Sequence, residues 1–218
     1  MIGGIDEAGR GPVLGPLVVA GVSIESEAPL RQLNVRDSKK LTAERREELA
    51  PQIEKLCKFE VVVIPAEDID SLRSQMTLNA VEARVFATII QKLGKMDTVY
   101  VDSADTDELE FKKAIKKELK HEVEIVSKHR ADDLFPVVSA ASILAKVRRD
   151  AEVRKIRDEF GTEIGSGYPA DPLTMAFLQE YVGRKGVLPP HTRLSWDTSK
   201  RLMSLSHTRK LDEFGGGK

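Results

Sequence analysis

Two short stretches place acidic side chains where apolar ones dominate, and both have the chemistry of a catalytic or metal-binding edge. Gly4-Ile5-Asp6-Glu7-Ala8-Gly9-Arg10-Gly11-Pro12 sets two adjacent carboxylates inside an apolar strand candidate. Val99-Tyr100-Val101-Asp102 ends a second on an aspartate. A carboxylate withdrawn from water needs a partner, so each acid either caps a solvated strand end or serves a site. Successive strand side chains point to opposite faces, so Asp6 and Glu7 share one site only if the chain turns at Glu7. Gly9 and Gly11 permit such a turn. If the first and fourth strands are neighbours, Asp6 and Asp102 face each other at one edge of the sheet. Like charges that close need a metal ion to stay ionised together. Carboxylates without clustered His or Cys suit a hard cation, Mg²⁺ or Mn²⁺. A fourth acid comes from Asp132 or Asp133, where a long helix begins and where an aspartate also serves as an N-cap.

The glycine run Gly9-Arg-Gly-Pro-Val-Leu-Gly15 is not a dinucleotide fingerprint. Pro12 interrupts it, and a β-rich run follows where a helix would be required. Closely spaced glycines with one arginine point instead to backbone brought against a ligand that carries an anionic group.

The elements that must position these residues follow from periodicity. Strands are predicted over 2–8, 15–24, 59–64, 98–102 and 122–126, where β-branched residues gather. Helices are predicted behind the N-caps Thr42 (Leu49, Ile53, Leu56), Thr77 (Val81, Val85, Ile89, Leu93, stopped by Gly94) and Asp107 (Leu109, Ile115, Leu119). A long helix runs from about Leu134 to Phe160 and ends at Gly161. Its first half is small and apolar and its second half is charged, so it leaves the main core and leads into a second unit. Asp171-Pro172 opens a further helix carrying Leu173, Phe177 and Tyr181, with proline at its favoured first position. A last one follows Thr198. Short early connections suit antiparallel pairing and later helical crossovers suit parallel pairing. The fold class is therefore α/β, a mixed sheet with helices plus a small helical C-terminal unit.

Composition excludes several classes. With 218 residues there is room for a full core, and 41% hydrophobic residues argue against global disorder. The single cysteine, Cys57, rules out an intramolecular disulfide scaffold and suits a reducing, cytoplasmic setting. No apolar run approaches the ~20 residues of a membrane helix, and the N-terminus lacks the basic region of a signal peptide. Only two asparagines accompany abundant charge, a balance that fits a thermophilic source as well as an ordinary cytosolic one. The formal net charge of -1 argues weakly against a nucleic-acid binder, but the charges are unevenly spread. Residues 184–210 carry Arg184, Lys185, Arg193, Lys200, Arg201, Arg209 and Lys210 against one acid, Asp197. That basic stretch suits a duplex backbone.

Taken in order, the motifs resemble ribonuclease HII of the archaeal style. They are Gly4-Ile-Asp-Glu-Ala-Gly-Arg-Gly-Pro-Val-Leu-Gly-Pro16, Asp37-Ser-Lys-Lys-Leu41, Val101-Asp-Ser103, Ala140-Ala-Ser-Ile-Leu-Ala-Lys-Val147 and Gly165-Ser-Gly-Tyr-Pro-Ala-Asp-Pro172. The resemblance implies a ribonuclease H-like fold with a five-stranded mixed sheet flanked by helices and a C-terminal helical domain. It divides the chain into a catalytic domain over 1–163, a substrate-binding domain over 164–207 and a flexible tail over 208–218. It implies a metal-dependent endoribonuclease that cleaves the RNA strand of RNA/DNA hybrids. The same family incises 5′ of single ribonucleotides in duplex DNA, leaving 3′-hydroxyl and 5′-phosphate ends. The catalytic and metal-binding acids carry over to Asp6, Glu7, Asp102 and, by motif spacing, Asp132. They hold two Mg²⁺ or Mn²⁺ ions ~3.5–4 Å apart when substrate is bound.

In the same family the backbone of Gly9, Arg10 and Gly11 reads the ribose 2′-hydroxyl, and Tyr168 packs on the following deoxyribose. Lys39 and Lys146 are phosphate contacts or plain surface lysines. The tail Thr208-Arg-Lys-Leu-Asp-Glu-Phe214 resembles a sliding-clamp (PCNA) binding motif. Leu211 and Phe214 keep its spacing, while Thr208 stands for its glutamine and Gly215 for its second aromatic. The enzyme is expected to be a monomer with no membrane partner. A non-catalytic hybrid-binding or clamp adaptor is the competing reading, and it would gain nothing from four acids facing phosphate.

Overall fold

The computed structural model describes residues 1–35 and 41–205. Five strands, β1 (Ile2–Ala8), β2 (Leu17–Ile24), β3 (Lys58–Ile64), β4 (Thr98–Asp102) and β5 (Glu124–Lys128), form one sheet in the order β3-β2-β1-β4-β5. β1 runs antiparallel to β2 and parallel to β4, and β4 runs parallel to β5. The mixed pairing follows connection length. The eight residues 9–16 join β1 to β2 without a helix, whereas the helix α5 (Glu108–Glu118) crosses between β4 and β5.

The helices before α5 are α1 (Ala28–Gln32), α2 (Ala43–Leu56), α3 (Ala66–Arg73) and α4 (Leu78–Leu93). Those after it are α6 (Ala131–Leu134), α7 (Pro136–Phe160), α8 (Pro172–Lys185) and α9 (197–205). Among the described residues no helix is long and apolar enough to cross a membrane.

Alternation along the strands sorts two cores. Val18, Ala20, Val22 and Ile24 of β2 join α1, α2 and the first half of α7 on one face. Val19, with Ile5, Val99, Val101 and Ile125, joins α4 and α5 on the other. Where α7 crosses β1 there is no room for a side chain. A Cβ on Gly4 would lie 2.2 Å from the Val137 carbonyl carbon. That close approach brings the next turns of α7 down over the strand, on the side to which Gly4, Asp6 and Ala8 point.

The expected caps form. Thr42 accepts from Arg45 N–H, Thr77 from Ala80 N–H, Asp107 from Leu109 and Glu110 N–H, and Asp171 from Leu173 N–H. Some details differ from the sequence expectation. β5 lies two residues further on, at Glu124–Lys128. The long helix starts at Pro136, because Phe135 is extended and separates it from the short α6. Leu109 is 66% exposed; α5 buries Ile115 as expected and Phe111 in place of Leu109. Leu173 on α8 is also exposed.

The chain forms two compact units. The first comprises Met1–Ala8, Leu17–Val63 and Gln75–Asp150. The second gathers Gly9–Pro16 and Ile64–Ser74 with the segment from Ala151 onward. In the second, Val13, Leu14, Ile156, Ile164, Phe177, Leu178 and Leu202 form a separate small core.

Candidate functional site

In the first unit the parallel pairing of β1 with β4 ends at Ile5 opposite Val101, so Asp6 and Asp102 follow at adjoining strand ends. Ligands in α/β sheets gather at such carboxyl ends. β1 does not turn at Glu7. Its pairing with β2 continues through Ala8, and the turn comes at Gly9, whose φ of 89° suits glycine. Glu7 therefore leaves the strand on the face opposite Asp6, and the turn expected to bring the two acids together does not form. Its carboxylate still acts on Asp6 through charge, so both acids border the same strand end without that turn, and the Glu7 main-chain N–H donates to Asp6 Oδ1 at 2.8 Å.

Asp6 is buried, and it is held well above the ordinary carboxylate range. Burial is the main cause, followed by the negative charges of Glu7 and Asp102. Ser142 and Lys146 act in the other direction. The Ser142 hydroxyl hydrogen-bonds the Asp6 carboxylate, and Lys146 Nζ donates to Ser142 Oγ at 2.7 Å, one helical turn along α7. Lys146, expected as a phosphate contact or a surface lysine, thus reaches the acid cluster through Ser142.

Asp102 Oδ1 accepts from Ala131 N–H at 2.6 Å and so anchors the start of α6. The neighbouring acids differ in environment. Asp132 is buried at 1% exposure, whereas Asp133 is more open and is paired with Arg130 at 2.9 Å. Among the described residues no group of three or more His, Cys, Asp or Glu side chains is already close enough together to hold a metal ion. The donor chemistry nevertheless fits a hard divalent cation. The donors are carboxylate oxygens, one of them buried among like charges, and a cation would relieve that repulsion.

The glycine segment belongs to the second unit. Val13 and Leu14 N–H both donate to the Gly167 carbonyl, at 2.8 and 3.1 Å, and Gly15 N–H donates to His191 O at 2.9 Å. Tyr168, the residue after Gly167, is 40% exposed, and its ring lies beside Gly11. A Cβ on Gly11 would be 3.5 Å from Tyr168 Cε1. The segment thus brings Gly9, Arg10, Gly11 and Tyr168 together.

One expectation is corrected here. Arg193, counted among the cations facing a duplex, is fully buried. Its guanidinium donates to the carbonyls of Gly9 (2.6 Å), Arg10 (2.9 Å) and Gly15 (3.0 Å). Nothing in the local sequence marks it, because its partners lie near the other end of the chain. Ser142 was legible only as a helical neighbour of Lys146 four residues on. Lys39, Leu211 and Phe214 lie outside the described residues.

Comparison with known proteins gives one consistent answer. The family model described as Ribonuclease HII matches residues 3–199. Ribonuclease HII of Thermococcus kodakarensis is 47% identical over 216 residues, covering 97% of this chain and 93% of that protein. The crystal structure of ribonuclease H2 from Pyrococcus horikoshii OT3 superposes with a TM-score of 0.88 at 39% identity, over 94% of this chain and 98% of that one. The ribonuclease HII solved in complex with PCNA from Archaeoglobus fulgidus gives a TM-score of 0.86 at 42% identity, over 93% and 96%.

Proposed function

The chain belongs to the ribonuclease HII family, and from that premise we propose that it incises duplex DNA on the 5′ side of single embedded ribonucleotides. Family members are metal-dependent endoribonucleases acting on RNA/DNA hybrids, and the five-stranded mixed sheet flanked by helices matches the ribonuclease H-like fold. The proposed products carry 3′-hydroxyl and 5′-phosphate ends. The observation that carries the reading is the placing of Asp6 and Asp102 at adjoining ends of parallel strands, where Asp6 is raised first by its burial and then by the charges of Glu7 and Asp102. A protein that only bound nucleic acid would gain nothing from such a cluster.

Asp6, Glu7, Asp102 and Asp132 would hold two Mg²⁺ or Mn²⁺ ions, which supply Lewis-acid stabilisation of the phosphate and an acidified water. The chain's own groups set up the reaction. Ser142, held by Lys146, orients the Asp6 carboxylate. Asp102 fixes the N-terminus of α6 and thereby the place of Asp132, favoured over Asp133 because the latter is committed to Arg130. The Gly9–Gly11 backbone reads the 2′-hydroxyl, and the exposed Tyr168 ring beside Gly11 stacks on the next sugar. Lys39 contributes a phosphate contact, and residues 164–207 serve substrate binding. The tail from Thr208 to Phe214 docks on a sliding clamp through Leu211 and Phe214, a reading supported by the relative solved with PCNA. A reducing cytoplasm suits the buried Cys57 thiol.

The test is a duplex with one internal ribonucleotide, incubated with Mg²⁺, with Mn²⁺ or with EDTA. Incision 5′ of the ribonucleotide in the presence of metal is expected. No metal-dependent incision, or ends bearing a 2′,3′-cyclic phosphate, would refute the mechanism.

A further inference from the structure

We infer that Arg193 is the positioning residue that aims the sugar-reading amides. Planar trans peptide units fix the argument. In each unit the C=O and the following N–H point in opposite directions, and the described chain has no cis bond. Arg193 draws the carbonyls of Gly9 and Arg10 to itself, at 2.6 and 2.9 Å. The N–H groups of Arg10 and Gly11 belong to those two peptide planes, so they point away from the guanidinium. Two successive amides facing outward from a buried cation form a donor pair for an oxygen ligand. Gly11, at the end of the pair, is the residue that the Tyr168 ring lies against.

The guanidinium is itself held on several sides. Its third bond goes to Gly15 O. Its Cζ lies 4.8 Å from the centre of the Trp196 ring, and Arg73 Cζ lies 4.8 Å from the same centre. Asp70 on α3 accepts from Leu194 and Ser195 N–H at 2.6 and 3.0 Å, and Ser199 Oγ donates to Arg193 O. These groups all belong to the second unit. A lysine keeps the charge but offers one nitrogen to three carbonyls, so only the planar fork can set both peptides at once.

The inference rests on the glycine backbone reading the ribose, and the test separates the two claims. Arg193→Lys is assayed for incision of the one-ribonucleotide duplex, for affinity to the same duplex made wholly of DNA, and for Mn²⁺ binding by titration without substrate. Misplaced amides should lower kcat by about 10- to 100-fold. The affinity for all-DNA duplex and for Mn²⁺ should each stay within about twofold of the unmodified protein. Unchanged kcat overturns the positioning role, and so does a parallel fall in all three measures, which marks general loss of structure. If Arg193→Lys does not fold, Asp70→Ala carries the test. It frees the Leu194 and Ser195 amides and should lower kcat about threefold or more with DNA affinity retained. A wild-type kcat there overturns the inference. If the unmodified enzyme fails to incise at a ribonucleotide, the functional reading falls and this inference falls with it. If it incises while these variants keep its kcat, the positioning role alone is wrong.

Discussion

Asp6 and Arg193 are both buried charges, and they are treated in opposite ways. Burial pushes the proton affinity of Asp6 up, the charges of Glu7 and Asp102 push it further, and the Ser142 hydroxyl with Lys146 behind it offsets part of that cost. Arg193 meets three carbonyl oxygens and the face of Trp196, so its charge is answered by the protein itself. A buried charge answered internally is a structural part. A buried charge left in conflict gains from a partner outside the chain, and at Asp6 the proposed divalent cation would be that partner. One region is finished when the chain folds, and the other would be completed by the metal ion proposed for it.

The largest effect expected from this contrast is at Asp102. Asp102→Asn keeps an oxygen for Ala131 N–H, so the fold survives, but it removes one of the charges that would hold the metal. Cleavage should fall by about 10³-fold or more, with duplex binding by gel shift largely kept. Activity near wild type would place the metal elsewhere.

Asp6→Asn follows. In EDTA near neutral pH it should be more stable than wild type by about 1 kcal/mol or more, with about 2–4 °C in Tm for each kcal/mol. The sign follows from linkage. The folded state keeps a proton on Asp6 to higher pH than the unfolded chain, whose value is near 3.8. Metal-free stability therefore falls as pH rises from that value through the folded one, and the fall is complete above it. The asparagine variant lacks this loss, and saturating Mg²⁺ should reverse the ranking because only wild type gains from tight binding. Calorimetry at several pH values, with and without metal, checks both points. A wild-type melting curve indifferent to pH and to Mg²⁺ would erase the contrast.

Gly11→Ala probes the finished region. The added methyl meets Tyr168 at ordinary contact distance, so Tm should move by no more than about 2 °C, while incision at a single ribonucleotide drops about tenfold. A large loss of stability would mean that the turn is less settled than its hydrogen bonds imply. The smallest effect belongs to the tail. Deleting residues 211–218 should leave turnover on a short duplex unchanged and weaken pull-down by a sliding clamp.

Much of this was legible in the sequence because it is local. β-branched runs marked the strands, and Thr42, Thr77, Asp107 and Asp171 marked helix starts through bonds to residues two or three along. Adjacency of β1 and β4 was a condition that the residues posed and the structure met. What could not be read was non-local or lacked pattern. α3 has no long apolar stripe, β5 begins two residues late within an ambiguous run, and the turn after β1 waits until Gly9. Arg193 looked like one more surface cation in a basic stretch, because its carbonyl partners are 178, 183 and 184 residues away.

That separation has a consequence in time. The carboxylate pair and the glycine turn leave the ribosome together, within the first sixteen residues. The guanidinium that shapes the turn is made about 180 residues later, on the order of 10–40 s at ordinary synthesis rates. Through that interval the nascent chain carries Asp6 and Glu7 but lacks the guanidinium bonded to the Gly9, Arg10 and Gly15 carbonyls. Any fragment ending short of residue 193 would keep the strand carboxylates and lack the guanidinium that holds the turn, so on the proposed reading the choice of sugar would come later in synthesis than the acids that cut.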